Sequence, residues 1–219
     1  MRILVLGGTG AIGAKVVDLL LGSSHQVIIY ARKPSKLNDN VITNRLVTII
    51  KGELSDVAGL RRAILGVEVV ISTLGPKVKN GPFHPSNTPL AKAYGNVVEL
   101  MKEKGVKRII LLGTTSMKDP NDTFSLEFKA LVSGVALFAT NAYRDVVAIG
   151  ETIRADPDLD YTIIRVPILT DDSDESFVVG YVGDKHIKTT LSRRAFAAFV
   201  MQELYKNQWI RKQPLISSP

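Results

Sequence analysis

Three glycines near the start of the chain have the spacing of a phosphate-binding turn. They follow a short apolar run, and apolar residues recur after them at helical spacing. In such a strand–turn–helix, Gly7 permits the sharp turn, Gly10 lets backbone approach a pyrophosphate, and Gly13 lets helix and strand pack closely. N–H groups of the helix start would face the phosphates, although glycine-rich turns also occur for steric reasons alone. We expect the contacts from Gly7, Thr9, Gly10, Ala11, Ile12 and Gly13.

A basic segment follows the second predicted strand, residues 26–30. Arg32 and Lys36 lie where a dinucleotide fold places the residue that selects the cofactor, and no acidic residue stands there to hold the ribose 2′-hydroxyl of NAD. A guanidinium suits a 2′-phosphate. The segment therefore predicts NADP(H), with a merely solvated basic loop as the alternative.

Four further buried strands are predicted over 46–52, 67–73, 106–113 and 160–166. Helical patterns alternate with them, which predicts an α/β, Rossmann-like, doubly wound parallel sheet with helices on both faces and one domain over 1–219. Residues at the carboxyl ends of the strands would complete the cofactor site. These are Glu53 and Leu54 beside the adenine, Thr73, Leu74 and Gly75 on the ribose side, Gly113 and Thr114 after the fifth strand, and Pro167 and Ile168 passing the nicotinamide.

The helices should begin at recognisable caps. Ser55 is the predicted N-cap of a helix after the third strand, Thr88 precedes a proline at the first helical position, and Ser192 caps a helix to Tyr205. Two more helices are predicted over 126–138 and 142–154. Short edge strands over 177–182 and 187–191 lie in or next to a segment, about 170–190, that should cover the substrate.

Composition narrows the classes of partner. The 219 residues carry a net charge of +7 from dispersed basic residues, which favours a solvated surface over nucleic-acid binding. No apolar stretch is long enough for a membrane span. The chain contains no Cys, and its first residues read as a core strand, so we expect a cytoplasmic protein without a signal peptide. The carboxylates over 171–175 lack the pattern of a calcium loop, and no metal is expected.

Aromatic residues indicate where a small-molecule substrate would lie. Phe83 and His84 belong to a polar, turn-rich loop over 77–87, in the place from which substrate loops usually emerge. Phe177 and Tyr181 lie in the covering segment and could wall an apolar cleft. The competing interpretation of His84 is a solvated loop histidine.

The combined pattern resembles the atypical short-chain dehydrogenase/reductase group, specifically its NmrA-like and biliverdin-reductase-B-like NAD(P)H-binding proteins. The resemblance covers nearly the whole chain and rests on residues 6–13, Arg32, 73–75, 113–116, 160–167 and 191–197.

That resemblance implies a catalytic hydroxyl after the fifth strand, Thr115 or Ser116, and a Tyr with a Lys four residues on. Tyr143 stands at about the expected distance before the sixth strand, but Val147 takes the place of the Lys. The cation that would lower the pKa of the phenol is therefore missing, and packing against the sheet is an equal interpretation of Tyr143.

Three functions remain open. The leading one is an NADPH-dependent oxidoreductase that reduces a small, aromatic, quinone or carbonyl-type substrate as a monomer or homodimer. The second is a non-catalytic NADP-binding regulator, and the third is a non-redox isomerase or cyclase on the same fold.

Overall fold

The structure is a computed structural model that describes residues 1–76, 81 and 83–219. Its strands are β1 (Arg2–Leu6), β2 (Gln26–Ala31), β3 (Val47–Lys51), β4 (Val69–Ser72), β5 (Arg108–Thr114), β6 (Asp160–Val166), β7 (Ile168–Thr170), β8 (Val178–Gly180), β9 (Thr190–Ser192) and β10 (Leu215–Ser217). Its helices are α1 (Ala11–Gly22), α2 (Asp39–Ile42), α3 (Val57–Ala63), α4 (Pro89–Glu103), α5 (Leu126–Phe138), α6 (Thr140–Arg154) and α7 (Arg193–Lys206), with a 3-10 turn at Pro34–Lys36.

Eight strands form one sheet in the order β3-β2-β1-β4-β5-β6-β10-β8. Every neighbouring pair is parallel except β10 and β8. The strands β7 and β9 pair separately, in parallel. The predicted Rossmann-like class is confirmed. The strands β7 and β10 lie outside the predicted strands, β8 is shorter than the first predicted edge strand, and β9 is shifted from the second.

Both faces of the sheet are buried, which explains the unbroken apolar runs of its central strands. Successive side chains of a strand point to opposite faces. Ile3 and Val5 accordingly pack in the cluster that contains residues of α1 and α7, whereas Leu4 and Leu6 pack with residues of α3, α4 and α6. All four are fully buried, and each contributes roughly 1.5–3 kcal/mol to stability.

Two helix starts differ from the predicted caps. The prediction that Ser55 caps α3 is wrong, because the Asp56 side chain accepts the Gly59 N–H instead, at 2.9 Å. The helix α4 begins after Thr88 as predicted, but Thr88 has a left-handed backbone (φ 47°) and its side chain makes no capping bond. A carboxylate from α6, described below, takes its place.

Three other helices begin within two residues of their predicted starts. The helix α5 spans the predicted residues, α6 begins two residues before its predicted start, and Ser192 accepts the Ala195 N–H at 2.9 Å as the cap of α7. None of the helices in the described part of the chain has the length and apolar character that crossing a bilayer requires. The described residues also hold no group of three His, Cys, Asp or Glu side chains that could bind a metal.

Because β1 to β6 run parallel, the loops that follow them gather at one edge of the sheet. That edge carries the glycine turn, the basic segment and the residues after β3, β4, β5 and β6. The site is built there.

Candidate cofactor and acceptor site

The glycine turn after β1 leaves no room for side chains at two of its positions. Gly7 has φ +88°, and a Cβ on it would lie 2.6 Å from Thr73 Oγ1. A Cβ on Gly13 would lie 2.7 Å from the Gly7 carbonyl carbon and 2.8 Å from Gly8 Cα. Helix α1 therefore packs directly on the turn, as the spacing predicts.

Gly10 faces open space instead. A Cβ there would meet only the Gly7 carbonyl oxygen within 4 Å, at 3.3 Å, and that oxygen already accepts the Gly10 N–H at 2.9 Å. The first N–H groups of a helix have no partner inside it, and the helix dipole adds positive potential there. Gly10 and Ala11 are both exposed at this start. An uncluttered cradle of N–H groups fits a pyrophosphate.

The basic segment lies beside this cradle. Ala31 is buried at the end of β2, whereas the side chains of Arg32 and Lys36 are exposed. A small cleft separates the glycine turn from the 3-10 turn, and Thr9, Lys36 and Asn38 are among the residues that line it. A cation, a hydroxyl and the carboxylate of Asp18 thus line one cleft next to the start of α1.

A hydrogen bond from Tyr30 of β2 holds the loop after β3. The Tyr30 hydroxyl donates to the Glu53 carbonyl oxygen at 2.9 Å, and burial, with the charge of Asp56, raises the pKa of Tyr30, so the donor keeps its proton. Asn96 Nδ2 donates to the Leu54 carbonyl at 3.3 Å. Glu53 is exposed and Leu54 is half-buried at the predicted adenine position.

The end of β4 is bound to the glycine turn. The Thr73 hydroxyl donates to the Gly7 carbonyl oxygen at 3.2 Å, and Leu74 is half-buried beside it, whereas Gly75 is exposed. One residue earlier, Ser72 Oγ and the Tyr94 hydroxyl lie 2.6 Å apart. Burial raises the pKa of Tyr94 to about 12, which identifies this pair as a neutral, structural contact.

The end of β5 presents two unused hydroxyls. Gly113 lies so close to β6 that a Cβ would sit 2.5 Å from Ile163 Cγ2, and the Thr114 hydroxyl accepts the Ser116 N–H at 3.2 Å. Thr115 and Ser116 are nearly buried, yet neither hydroxyl bonds to another residue within the described ranges. Both are available to a ligand.

Helix α6 brings Tyr143 to the same side. Tyr143 and Gly150 are two helical turns apart and share a face, and a Cβ on Gly150 would lie 3.2 Å from Met117 Sδ. At Gly150 this face therefore meets Met117, the residue that directly follows the two hydroxyls. Tyr143 and Val147 are half-buried, and no side chain in the described part of the chain hydrogen-bonds to the Tyr143 hydroxyl.

The predicted nicotinamide neighbours differ in exposure: Pro167 is half-buried and Ile168 is 51% exposed. Among the predicted substrate residues, Phe83 is 88% exposed. Phe177 packs edge-on against Phe199 of α7, with ring centroids 5.2 Å apart. Tyr181 lies over the Arg165 guanidinium at 5.9 Å. The structure thus does not bring these aromatic rings into one cluster.

His84 is buried and paired. Its Nε2–H donates to Asp145 Oδ2 at 2.7 Å, and its carbonyl oxygen accepts from Asn141 Nδ2 at 2.8 Å. Asp145 is fully buried and also accepts the N–H groups of Leu90 and Ala91, at 3.1 and 2.9 Å. His84 is therefore not a solvated loop histidine, and its predicted role toward a substrate stays a prediction. Residues 77–80 and 82 of the same loop lie outside the described residues.

Sequence reasoning missed the roles of two carboxylates of this region, the buried Asp145 and the half-buried Asp122. Asp122 accepts two hydrogen bonds from Arg165 of β6, at 2.7 and 2.8 Å. An Arg that follows two isoleucines inside a buried strand is the signal for a buried ion pair. Nothing local indicates the partner, which stands 43 residues away.

A family profile decides the superfamily. The profile of an NAD(P)H-binding family, NAD_binding_10, matches residues 7–207 of the chain. The chain belongs to this NAD(P)H-binding family. The resemblance drawn from the glycine turn and the strand ends is thereby confirmed, and so is a site for a nicotinamide dinucleotide.

Solved structures share the fold of this chain. A short-chain dehydrogenase/reductase of Veillonella parvula in complex with NADP has a TM-score of 0.82 at 17% identity, covering 100% of this chain and 94% of that one. The oxidoreductase ylbE of Lactococcus lactis has a TM-score of 0.79 at 18% identity, covering 100% and 91%.

Curated relatives match this chain over a shorter stretch. An isoflavone reductase-like protein of Olea europaea and the phenylcoumaran benzylic ether reductase TP7 of Nicotiana tabacum are each 41% identical over 81 residues. That stretch is 34% of this chain and 26% of each relative, so the match spans about a quarter of their length.

Proposed function

We propose that the protein is an NADPH-dependent reductase of a small aromatic, quinone or carbonyl-type acceptor. The observation that carries the proposal is the arrangement at the carboxyl edge of the sheet. An open pyrophosphate cradle lies beside a basic segment without an acid, and two hydroxyls with no partner among the described residues follow β5.

The choice of NADPH over NADH rests on Arg32 and Lys36. An exposed guanidinium can pair with a 2′-phosphate through two parallel hydrogen bonds, and Lys36 adds a second cation at the cleft lined by Thr9. A structurally similar reductase from Veillonella parvula was solved with NADP, which supports the same choice here. The pyrophosphate would contact Gly10, Ala11 and Ile12.

Reduction of the acceptor adds two electrons and two protons in effect. When bound, NADPH would supply a hydride, and an electrophilic carbonyl carbon of the acceptor would receive it while the C=O π pair shifts to the oxygen. Thr115 or Ser116 would donate a hydrogen bond to that oxygen and stabilise its developing charge. The oxygen would then take a proton from the Tyr143 hydroxyl or from water. A ketone gives the alcohol directly, and a quinone gives the hydroquinone once the carbon that received the hydride loses its proton and the second carbonyl oxygen gains one.

Tyr143 lacks a lysine partner four residues on in α6, because Val147 stands there. A phenol without that help is a weaker acid near neutral pH. Holding the acceptor against the cofactor supplies much of the rate in such a site, so we assign Tyr143 an assisting role.

The aromatic character of the acceptor is supported by the relatives. Those named above are isoflavone reductase-like and phenylcoumaran benzylic ether reductases. In this chain Tyr181 of the segment 170–190 is half-buried. We assign that segment to the cover of the acceptor.

A non-catalytic NADP-binding regulator is the second candidate, and Val147 is the observation that favours it. The same cofactor contacts would then be made without turnover.

One assay tests the proposal. The absorbance of NADPH is followed with the protein against a panel of quinones, flavins and aromatic ketones. Protein-dependent loss of NADPH with a reduced product supports the reductase. Stoichiometric binding without turnover overturns it in favour of the regulator, and conversion of a substrate without NADPH consumption points to an isomerase.

A further inference from the structure

Arg165 of β6 is completely buried, and its guanidinium reaches two different segments besides its ion-pair partner. Nη1 donates to the Met117 carbonyl oxygen at 3.0 Å, and Nε donates to the Gln213 carbonyl oxygen at 2.7 Å. Nη1 and Nη2 also donate to the two carboxylate oxygens of Asp122, at 2.7 and 2.8 Å. Met117 directly follows Thr115 and Ser116, so the guanidinium holds the end of the hydroxyl loop.

Asp122 extends the connection to the segment 170–190. Its Oδ1 accepts the Val182 N–H at 3.1 Å, and its Oδ2 accepts the Asp119 N–H at 2.8 Å. The neighbouring Thr123 N–H donates to the Val182 carbonyl oxygen at 2.8 Å. The ion pair therefore joins the hydroxyl loop, the turn before α5 and the segment that carries Tyr181.

Stability alone does not explain such a pair. Removing two charges from water costs free energy that their attraction often only balances, and apolar residues of similar volume can replace a buried pair without loss. What apolar residues cannot do is fix three backbone segments at once. A guanidinium has five donors in a rigid plane, which suits that task.

We propose that the Arg165–Asp122 pair is the positioning element of the acceptor side. It holds the Thr115–Ser116 hydroxyls in register with the covering segment around Tyr181, while the cofactor cradle on β1 and β2 does not depend on it. Arg165 and Asp122 are positioning residues that act through the loops they hold. The proposal rests on the proposed reductase function.

The test removes both charges together, because a single substitution would leave one charge buried without its partner. The double variant Arg165→Met/Asp122→Asn is compared with the double variant Arg108→Met/Glu203→Gln. Arg108 Nη2 and Glu203 Oε1 form a second largely buried pair, 2.7 Å apart, at the first residue of β5 and so at the opposite edge of the sheet. The control variant perturbs the fold to a similar extent without touching the acceptor side.

Three quantities are measured: NADPH affinity by fluorescence titration, kcat and KM for 1,4-naphthoquinone, and hydrogen exchange over residues 114–123 and 178–184. For the Arg165/Asp122 variant we expect unchanged NADPH affinity and faster exchange in both segments. We also expect kcat/KM to fall about 10- to 100-fold, with kcat itself reduced, because a misplacement near 1 Å has that effect on a reaction. The control variant should keep wild-type exchange in these segments and wild-type kcat/KM.

Wild-type exchange in both segments of the Arg165/Asp122 variant overturns the proposal, and so does an equal loss of kcat/KM in both double variants. If the wild-type protein binds NADPH but reduces no quinone, flavin or aromatic ketone of the panel, the reductase function fails. The exchange measurement then decides on the positioning role by itself.

Discussion

Asp145 provides a prediction whose size follows from the structure. The side chain is fully buried on α6, and it accepts hydrogen bonds from the N–H groups of Leu90 and Ala91 and from His84 Nε2. Thr88 does not cap α4, so Asp145 is the residue that satisfies its first N–H groups. We expect Asp145→Ala to lower the free energy of unfolding substantially.

The magnitude has two parts. Loss of a helix cap costs about 1 kcal/mol. The buried His84 ring N–H, left without an acceptor, costs about 1–3 kcal/mol more. The sum is about 3 kcal/mol, which for a chain of this size corresponds to a fall in Tm of roughly 6–12 °C.

Thermal unfolding followed by circular dichroism measures this change. Glu151→Ala is the matched control, because it removes an exposed carboxylate from the same helix and should change Tm little. Asp145→Asn should lie between the two, since its carbonyl oxygen can still accept one bond. If the Tm of Asp145→Ala lies within about 2 °C of the Tm of the control, the capping role is refuted.

Three further predictions concern the site and its supports. Gly13→Ala should abolish measurable NADPH binding or lower stability by about 1–3 kcal/mol, because its Cβ would collide with Gly7 backbone; a titration curve and Tm like wild type would contradict the tight packing. Tyr143→Phe should lower kcat for quinone reduction about tenfold or less, with unchanged NADPH affinity, since water can replace a phenol without a lysine; complete loss of activity would show that Tyr143 is indispensable. Although burial opposes ionisation, hydrogen bonds from Arg165 and backbone N–H groups hold the pKa of Asp122 below its ordinary value. A carboxyl with a depressed pKa contributes stability that is present above the ordinary carboxyl pKa and is lost as pH falls through the folded-state pKa. The wild-type protein should therefore lose more stability than Asp122→Asn does when the pH is lowered to about 3. Parallel profiles of stability against pH would count against the ion pair.

The fold was predictable because its signals are local and repeated. Continuous apolar runs of strand length alternate with helical patterns, and the glycine turn fixes the first crossover. The cradle was predictable for the same reason, since Gly7, Gly10 and Gly13 act on the few residues next to them. Local ambiguity limits even this level: Ser55 and Asp56 are both good caps, and only the geometry of the loop chooses Asp56.

The supports of the acceptor side depend on contacts distant in sequence. Asp145 meets Leu90 across 55 residues, and Asp122 meets Val182 across 60. No periodicity or cap rule relates such positions, so the role of a buried carboxylate appears only when the helices and loops are in place. His84 shows the same limit, because a polar loop predicts solvent around a ring that the structure buries against Asp145.

The most direct measurement compares NADPH and NADH binding to the wild-type protein, to Arg32→Ala and to Lys107→Ala, an exposed cation at the amino end of β5. The account predicts saturable binding with a preference for NADPH. It further predicts that Arg32→Ala weakens NADPH about 10- to 100-fold, the value of a charge-assisted contact, while NADH binding and the Lys107→Ala protein stay near wild type. Absence of saturable binding, or a preference for NADH that persists in Arg32→Ala, would contradict it.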